Sequence, residues 1–301
     1  MISLTADEAV RAYEAVRHRL PSARPRSGGY NEIETLSEIA DQFDVFLLDA
    51  FGVLNVGETA IPGAVERVAE LKHSGKHVFV VSNAASVPRG ELEAKYRHLG
   101  FDFPSEDIIT SRATMAAFMK VADIDCWGVM HGSHTRLDDL APLRMAPLTD
   151  DASAYSDVGG FLLIGSAGWT EARQSLLEAA LNEAPRRVLV ANPDIVAPRE
   201  IGFSAEPGYF AHRLADRTGI EPEFFGKPFP SIFDLALARL GPIDNDRVVM
   251  VGDSLHTDIL GAHSAGIASV LVTQYGLFAG RDFRSAITRT GIAPEYVASR
   301  P

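Results

Sequence analysis

Short, unbroken apolar runs, each set off from the next by a longer amphipathic stretch, constrain this chain more than any other feature. Residues 45–48 (VFLL), 77–81 (HVFVV), 247–251 (RVVMV) and 268–272 (ASVLV) read as fully buried strands. Residues 62–74, 88–99, 231–240 and 255–265 carry helical spacing between them. Buried strands alternating with helices predict an α/β fold, a Rossmann-like parallel sheet covered on both faces. A middle stretch repeats the grammar, with strands expected at 127–130, 158–164 and 188–190 and a helix at 170–182. The expectation is therefore a discontinuous core over 35–120 plus 223–301, with a second α/β domain inserted at 121–222. Residues 1–34 are expected to form an N-terminal helical extension. There 5–20 is spaced for a helix capped by Thr5 and 21–29 is a Pro/Gly/Ser linker, and a second short helix is expected over 32–41, running into the core.

Composition narrows the class of partner. The 301 residues are 46% hydrophobic and 23% charged, as in a globular chain with a real core. The net charge of −12 repels phosphate backbones and anionic lipid, so neither nucleic acid nor a membrane surface is expected as a partner. One cysteine, Cys126, makes no internal disulfide and no thiolate metal site, and reads as a small buried hydrophobe. No basic and apolar leader opens the chain, and no apolar run approaches the ~20 residues of a membrane span. A soluble, cytoplasmic protein is expected.

Ligands of an open parallel sheet bind at the carboxyl ends of its strands. There the sequence places Asp49 (LLDAFG), Ser82-Asn83 (VVSNAAS), Lys227 (GKP), and Asp253 with Asp258 (VGDSLHTD). Singly, each has an ordinary reading as a helix cap, a turn or a surface lysine. Jointly, they bring carboxylates, a hydroxyl and a lysine to one sheet edge. Carboxylates gathered without a cation repel, whereas hard oxygen donors suit Mg²⁺.

In order and spacing these motifs resemble the haloacid dehalogenase-like (HAD) hydrolases. The nearest branch is class IIA, the NagD or nitrophenylphosphatase-like group, whose inserted cap domain lies between the second and third motifs. The long gap between Asn83 and Lys227 accommodates such a cap (the C2 type), and the short gap between Asp49 and Ser82 does not accommodate the other kind. The resemblance implies a Mg²⁺-dependent phosphatase acting on a small phosphorylated metabolite through an aspartyl-phosphate at Asp49. It implies phosphate binding by Ser82, Asn83 and Lys227. The metal would be held by Asp49, the backbone carbonyl of residue 51, Asp253 and Asp258. Asn192 and Asp194, in VLVANPD, are similar to a segment of class IIA caps and are expected to contact the rest of the substrate. A homodimer is implied by the resemblance alone.

One position departs from the pattern. Phosphatases of this type carry a second Asp two residues after the nucleophile, as general acid and base, and here that residue is Phe51. General acid–base help is worth ~10²–10⁴ in rate, and phenylalanine supplies none. His256 is a candidate substitute, with a helix-start histidine as the plainer reading. Two alternatives stand beside the phosphatase. One is a phosphometabolite-binding protein without hydrolytic activity; the other is a dehalogenase-like hydrolase in which Asp49 attacks carbon. The pair His131 and His134 has no third ligand and reads as solvated or packing histidines.

Overall fold

The structure, a computed structural model, describes residues 3–22, 29–120, 122–132, 135–141, 143–198 and 203–301. The chain divides into two compact units. The core unit comprises Arg17–Ser82, Arg89–Ile109 and Lys227–Pro301, and the inserted unit Met1–Val16, Asn83–Pro88 and Thr110–Gly226.

The core sheet has seven strands in the order Asn31–Ile33, Tyr296–Ala298, Ala268–Val272, Val248–Gly252, Val45–Leu48, His77–Ser82, Ile108–Thr110. Val45–Leu48 pairs in parallel with Val248–Gly252 on one side and His77–Ser82 on the other, Leu48 lying opposite both Val251 and Val80. Chain order reverses across that first pair, so Asp49 and Asp253 leave adjacent strands at the switch point where such sheets bind ligands. Val45, Leu47, Phe79, Val81, Val248 and Met250 pack on one face against Ile232, Phe233 and Ala236 of the helix Pro230–Leu237. Both faces of these strands are buried, which is why their sequences run apolar without alternation.

The inserted unit has its own parallel sheet, in the order Glu223–Phe224, Arg187–Val190, Gly160–Leu163, Cys126–Met130, Arg144–Pro147. The helices Glu171–Glu183 and Pro207–Thr218 bury Leu177, Leu181, Phe210 and Leu214 in the core beneath it. Cys126 is half-buried at the edge of that cluster. A small antiparallel sheet joins Ser3–Leu4, Phe203–Ala205 and Val196–Pro198.

Several local expectations are corrected. The extension does not stand apart: residues up to Val16 belong to the inserted unit, which also takes Thr110–Lys120 from the expected core. The helix expected over 5–20 is α-helical at Ala6–Ala15, and Arg17–Arg19 forms a 3₁₀ turn. Thr5 caps it as expected, in a capping box with Glu8. The helix expected over 32–41 is instead the edge strand Asn31–Ile33 followed by a 3₁₀ helix, Leu36–Gln42. Thr35 and Glu38 cap that turn and delay its start, while Asn31–Ile33 pairs with Tyr296–Ala298. Most of the expected linker over 21–29, and His134 with it, lies outside the described residues. Among the described residues no helix is long and apolar enough to cross a membrane.

Candidate active site

Asp49 follows the last residue of its strand and extends the ladder by one bond, its N–H donating to Val251 O at 2.9 Å. Its carboxylate is therefore fixed at the sheet edge. Ala50 N–H donates to Asp49 Oδ1 at 2.7 Å, and Lys227 Nζ lies 2.6 Å from the same oxygen. Lys227 also reaches Asp258 Oδ1 at 2.7 Å, with only 2% of its surface exposed. One ammonium thus ties together two carboxylates from different parts of the chain.

Asp258 sits where the expected helix over 255–265 is modified. Leu255–Ile259 forms a π turn before the α-helix Leu260–Ala265 begins. Ser254 O accepts from both Asp258 N and Ile259 N, and Asp258 Oδ2 accepts from Ser254 N at 3.0 Å. The wide turn folds the Asp258 side chain back over Gly252, where a Cβ would stand 2.0 Å from Asp258 Cγ. Such insertions recur at functional sites because they re-aim a side chain that an α-helix would carry past.

Asp253 is buried and accepts from Leu277 N at 2.7 Å. Gly276, at φ +72°, allows that approach: a Cβ there would lie 1.9 Å from Asp253 Oδ2. Asp49, Asp253 and Asp258 each bring one carboxylate oxygen within 4.8 Å of the others.

Three carboxylates against one ammonium leave an excess of negative charge, which displaces the pKa of each buried member. Burial, then Asp49 and Asp258, push the Asp253 carboxyl well above its ordinary range. Burial raises Asp258 to about 6, with Asp49 adding to the shift and Lys227 opposing it. Burial pulls the Lys227 ammonium down, but Asp258 and Asp49 outweigh it and hold its pKa above the usual lysine value. A cluster of hard oxygens that disfavours its own ionisation fits a divalent cation, which would relieve the repulsion.

Ser82 ends its strand, buried, two residues beyond the Leu48–Val80 pair. Phe51 opens a tight turn in which Leu54 and Asn55 N–H both donate to Ala50 O, and Gly52 follows at φ +79°. His256 is buried within the π turn and does not stand exposed at a helix start. Asn83, next to Ser82 in sequence, belongs to the inserted unit, where its side-chain N–H donates to Asp194 Oδ1 at 2.8 Å. Asn192 Oδ1 accepts from Asp194 N at 3.0 Å, so Asn83, Asn192 and Asp194 form one polar group there. His131 Nδ1 contacts Gly132 O.

Sequence reasoning missed Tyr96. It lies buried on the helix Arg89–His98, edge-on to Phe101 and Phe103. Its phenol is raised above its ordinary value by burial and by the charge on Asp49. The available signal was the spacing of Leu92 and Tyr96, one turn apart and the two buried residues of an otherwise polar helix. Leu277 was missed as well, because a backbone donor carries no sequence signature.

Comparison with known proteins gives consistent matches. Residues 46–141 match the family model described as haloacid dehalogenase-like hydrolase, and residues 224–300 a second, described as HAD-hydrolase-like. The acid sugar phosphatase of Staphylococcus haemolyticus is 27% identical over 228 residues, 75% of this chain and 84% of its own length. The D-glycerol 3-phosphate phosphatase of Mycobacterium tuberculosis is 30% identical over 243 residues, 79% of this chain and 65% of its own. The solved p-nitrophenyl phosphatase of Archaeoglobus fulgidus superposes with a TM-score of 0.73 at 26% identity, covering 86% of this chain and 97% of that one.

Proposed function

The chain belongs to the haloacid dehalogenase-like hydrolases, class IIA, and from that premise we propose that it is a Mg²⁺-dependent phosphatase of small sugar- or polyol-phosphates. The observation that carries this reading is the Asp49–Lys227–Asp258 array, built on a buried Lys227 and Asp258, beside Asp253 at the sheet's switch point.

Asp49 is the nucleophile. Its Oδ1 is engaged by Lys227 and Ala50 N–H, which leaves Oδ2 to attack phosphorus. The phosphorus–ester oxygen bond breaks, an aspartyl-phosphate forms, and the leaving oxygen takes up a proton. Water then attacks that phosphorus, releasing inorganic phosphate and regenerating the Asp49 carboxylate. Lys227 and Ser82 hold the phosphoryl oxygens, with Asn83 next to Ser82 in sequence. Asp258 keeps Lys227 charged and in place. Asp49, the Phe51 carbonyl, Asp253 and Asp258 would hold Mg²⁺, whose charge would stabilise that on the transferring phosphoryl group.

Phe51 supplies no proton, and His256 is buried. The leaving group is therefore protonated by solvent, so a polyol alkoxide leaves slowly, and aryl or acyl phosphates, whose leaving oxygens are weaker bases, turn over faster without being the natural substrates. Asn192 and Asp194 contact the part of the substrate that is not phosphate. The acid sugar phosphatase and glycerol phosphate phosphatase among the relatives support a polyol as that part.

The test is phosphate release with Mg²⁺ across nitrophenyl phosphate, acetyl phosphate, sugar phosphates and nucleotides, with Asp49→Asn alongside. Release that vanishes in the folded variant is expected. Wild-type release in Asp49→Asn excludes the nucleophile. No release from the wild type on any substrate leaves the phosphometabolite-binding reading in its place.

A further inference from the structure

The segment ahead of Val16 has no part in the chemistry proposed above, and both matched family models begin beyond it. It is nonetheless built into the inserted unit at the loop that carries Asn192 and Asp194. Ser3 and Leu4 pair antiparallel with Ser204 and Phe203, completing a three-stranded sheet. Helix Ala6–Ala15 buries Ala9, Val10 and Tyr13. Tyr13 then reaches across 182 positions to accept a hydrogen bond from Ile195 N, at 3.1 Å and buried.

Ile195 directly follows Asp194. The same loop is held at three more points. Asp194 N donates to Asn192 Oδ1, and Asn83 donates to Asp194 Oδ1. Glu206 N donates to Ile195 O at 2.9 Å, and Glu206 follows the strand to which Ser3–Leu4 pairs. Gly208 presses on the loop from the other side, where a Cβ would stand 2.1 Å from Pro193 O. One face of this clamp is local to the inserted fold; the other is supplied by the N-terminal segment through Tyr13.

We infer that the N-terminal segment is a specificity element, with Tyr13 a positioning residue that sets the Asn192–Asp194 loop for the non-phosphate part of the substrate. The inference rests on the reading of Asn192 and Asp194 as substrate contacts. Tyr13 touches no reacting atom. Its hydroxyl fixes the backbone at Ile195, and removing it frees the neighbouring carboxylate to shift.

Kinetics on two probes separate this role from plain structural support. Glycerol 3-phosphate presents a polyol to the loop, and acetyl phosphate presents almost nothing beyond the phosphoryl group. In Tyr13→Phe, KM for glycerol 3-phosphate should rise about five- to tenfold, the worth of one buried hydrogen bond, with kcat unchanged and acetyl phosphate unaffected. Thr5→Ala removes the cap of the same helix at an exposed position and should raise the same KM to a lesser degree, while Thr5→Ser keeps it at the wild-type value. Unchanged KM in Tyr13→Phe, with KM raised in Asp194→Ala, overturns the inference alone. Equal losses on both probes together with a lowered Tm also overturn it, because they describe a structural residue. Unchanged KM in Asp194→Ala overturns the reading of the loop, and the inference with it.

Discussion

Lys227 and Asp258 lie 2.7 Å apart with almost no surface exposed, and the lysine's second carboxylate partner, Asp49, is 2.6 Å away. An ammonium buried between two carboxylates has no substitute among uncharged side chains of similar length. In Lys227→Met, Asp49 and Asp258 face one another and Asp253 without a counter-charge. Turnover should fall by about 10²–10³-fold, as for loss of one transition-state donor. Stability should fall by about 3–5 kcal/mol, the cost of leaving a buried charge unpaired. Steady-state kinetics and denaturant melts with and without Mg²⁺ check both, and a melt indistinguishable from wild type would contradict the pairing.

Phe51 stands two residues after Asp49, where the proposed mechanism looks for a carboxylic acid to protonate the leaving group. Phe51→Asp should therefore raise kcat on sugar phosphates, by up to about 10²-fold, while changing nitrophenyl phosphate hydrolysis little. The comparison of the two substrates is the measurement. An equal or negative effect on both would mean that the aromatic side chain belongs to a different proton route.

Gly276 brings the Leu277 N–H to Asp253, and its positive φ and the missing Cβ are both required. Gly276→Ala should displace Asp253 and weaken Mg²⁺ binding about tenfold or more, read by calorimetric titration. Gly280→Ala is the matched control, since φ is +67° there and a Cβ would meet nothing within 4 Å. It shares the backbone strain and should leave the metal affinity alone.

Asp253 and Asp258 both titrate above the unfolded carboxylate range, Asp258 at about 6. The metal-free folded state therefore binds more protons than the unfolded chain. The stability these groups contribute is fully present below about pH 4 and is lost as pH rises through about 6 and beyond. Mg²⁺ opposes that loss, so the rise in Tm on adding it should be larger at pH 8 than at pH 5. A rise that shrinks with increasing pH would contradict the assignment of these carboxylates.

What could be read from the sequence divides along physical lines. Val45–Leu48 and Ala268–Val272 are legible to the residue because burial on both faces leaves a run that is apolar throughout in the first and broken only by the buried Ser269 in the second. The placement of Asp49 and Asp253 is legible for a related reason, since each directly follows such a run and so stands at the sheet edge, whereas Lys227 and Asp258 follow no core strand directly. Asn31–Ile33 is not legible, because its side chains are largely exposed and it is a strand only through pairing with Tyr296–Ala298. The π turn at Leu255–Ile259 depends on a hydrogen bond from Ser254 back to Asp258, which helical spacing does not encode. Leu277 reaches the site through a backbone N–H, which has no local pattern, and the spacing of Leu92 and Tyr96 marks a buried helix face without saying what it faces.

The strand pairing of Ser3–Leu4 with Phe203–Ala205 bears on how the molecule can be taken apart. The inserted unit is assembled from three separate stretches of chain, and the first of them enters it from the far side of the core sequence. A graft that transplanted only 110–226 onto another core would leave an open edge at Phe203–Ala205 and an unanswered Ile195 N–H. An exchange of substrate preference between relatives by domain swapping would have to carry residues 3–16 with it.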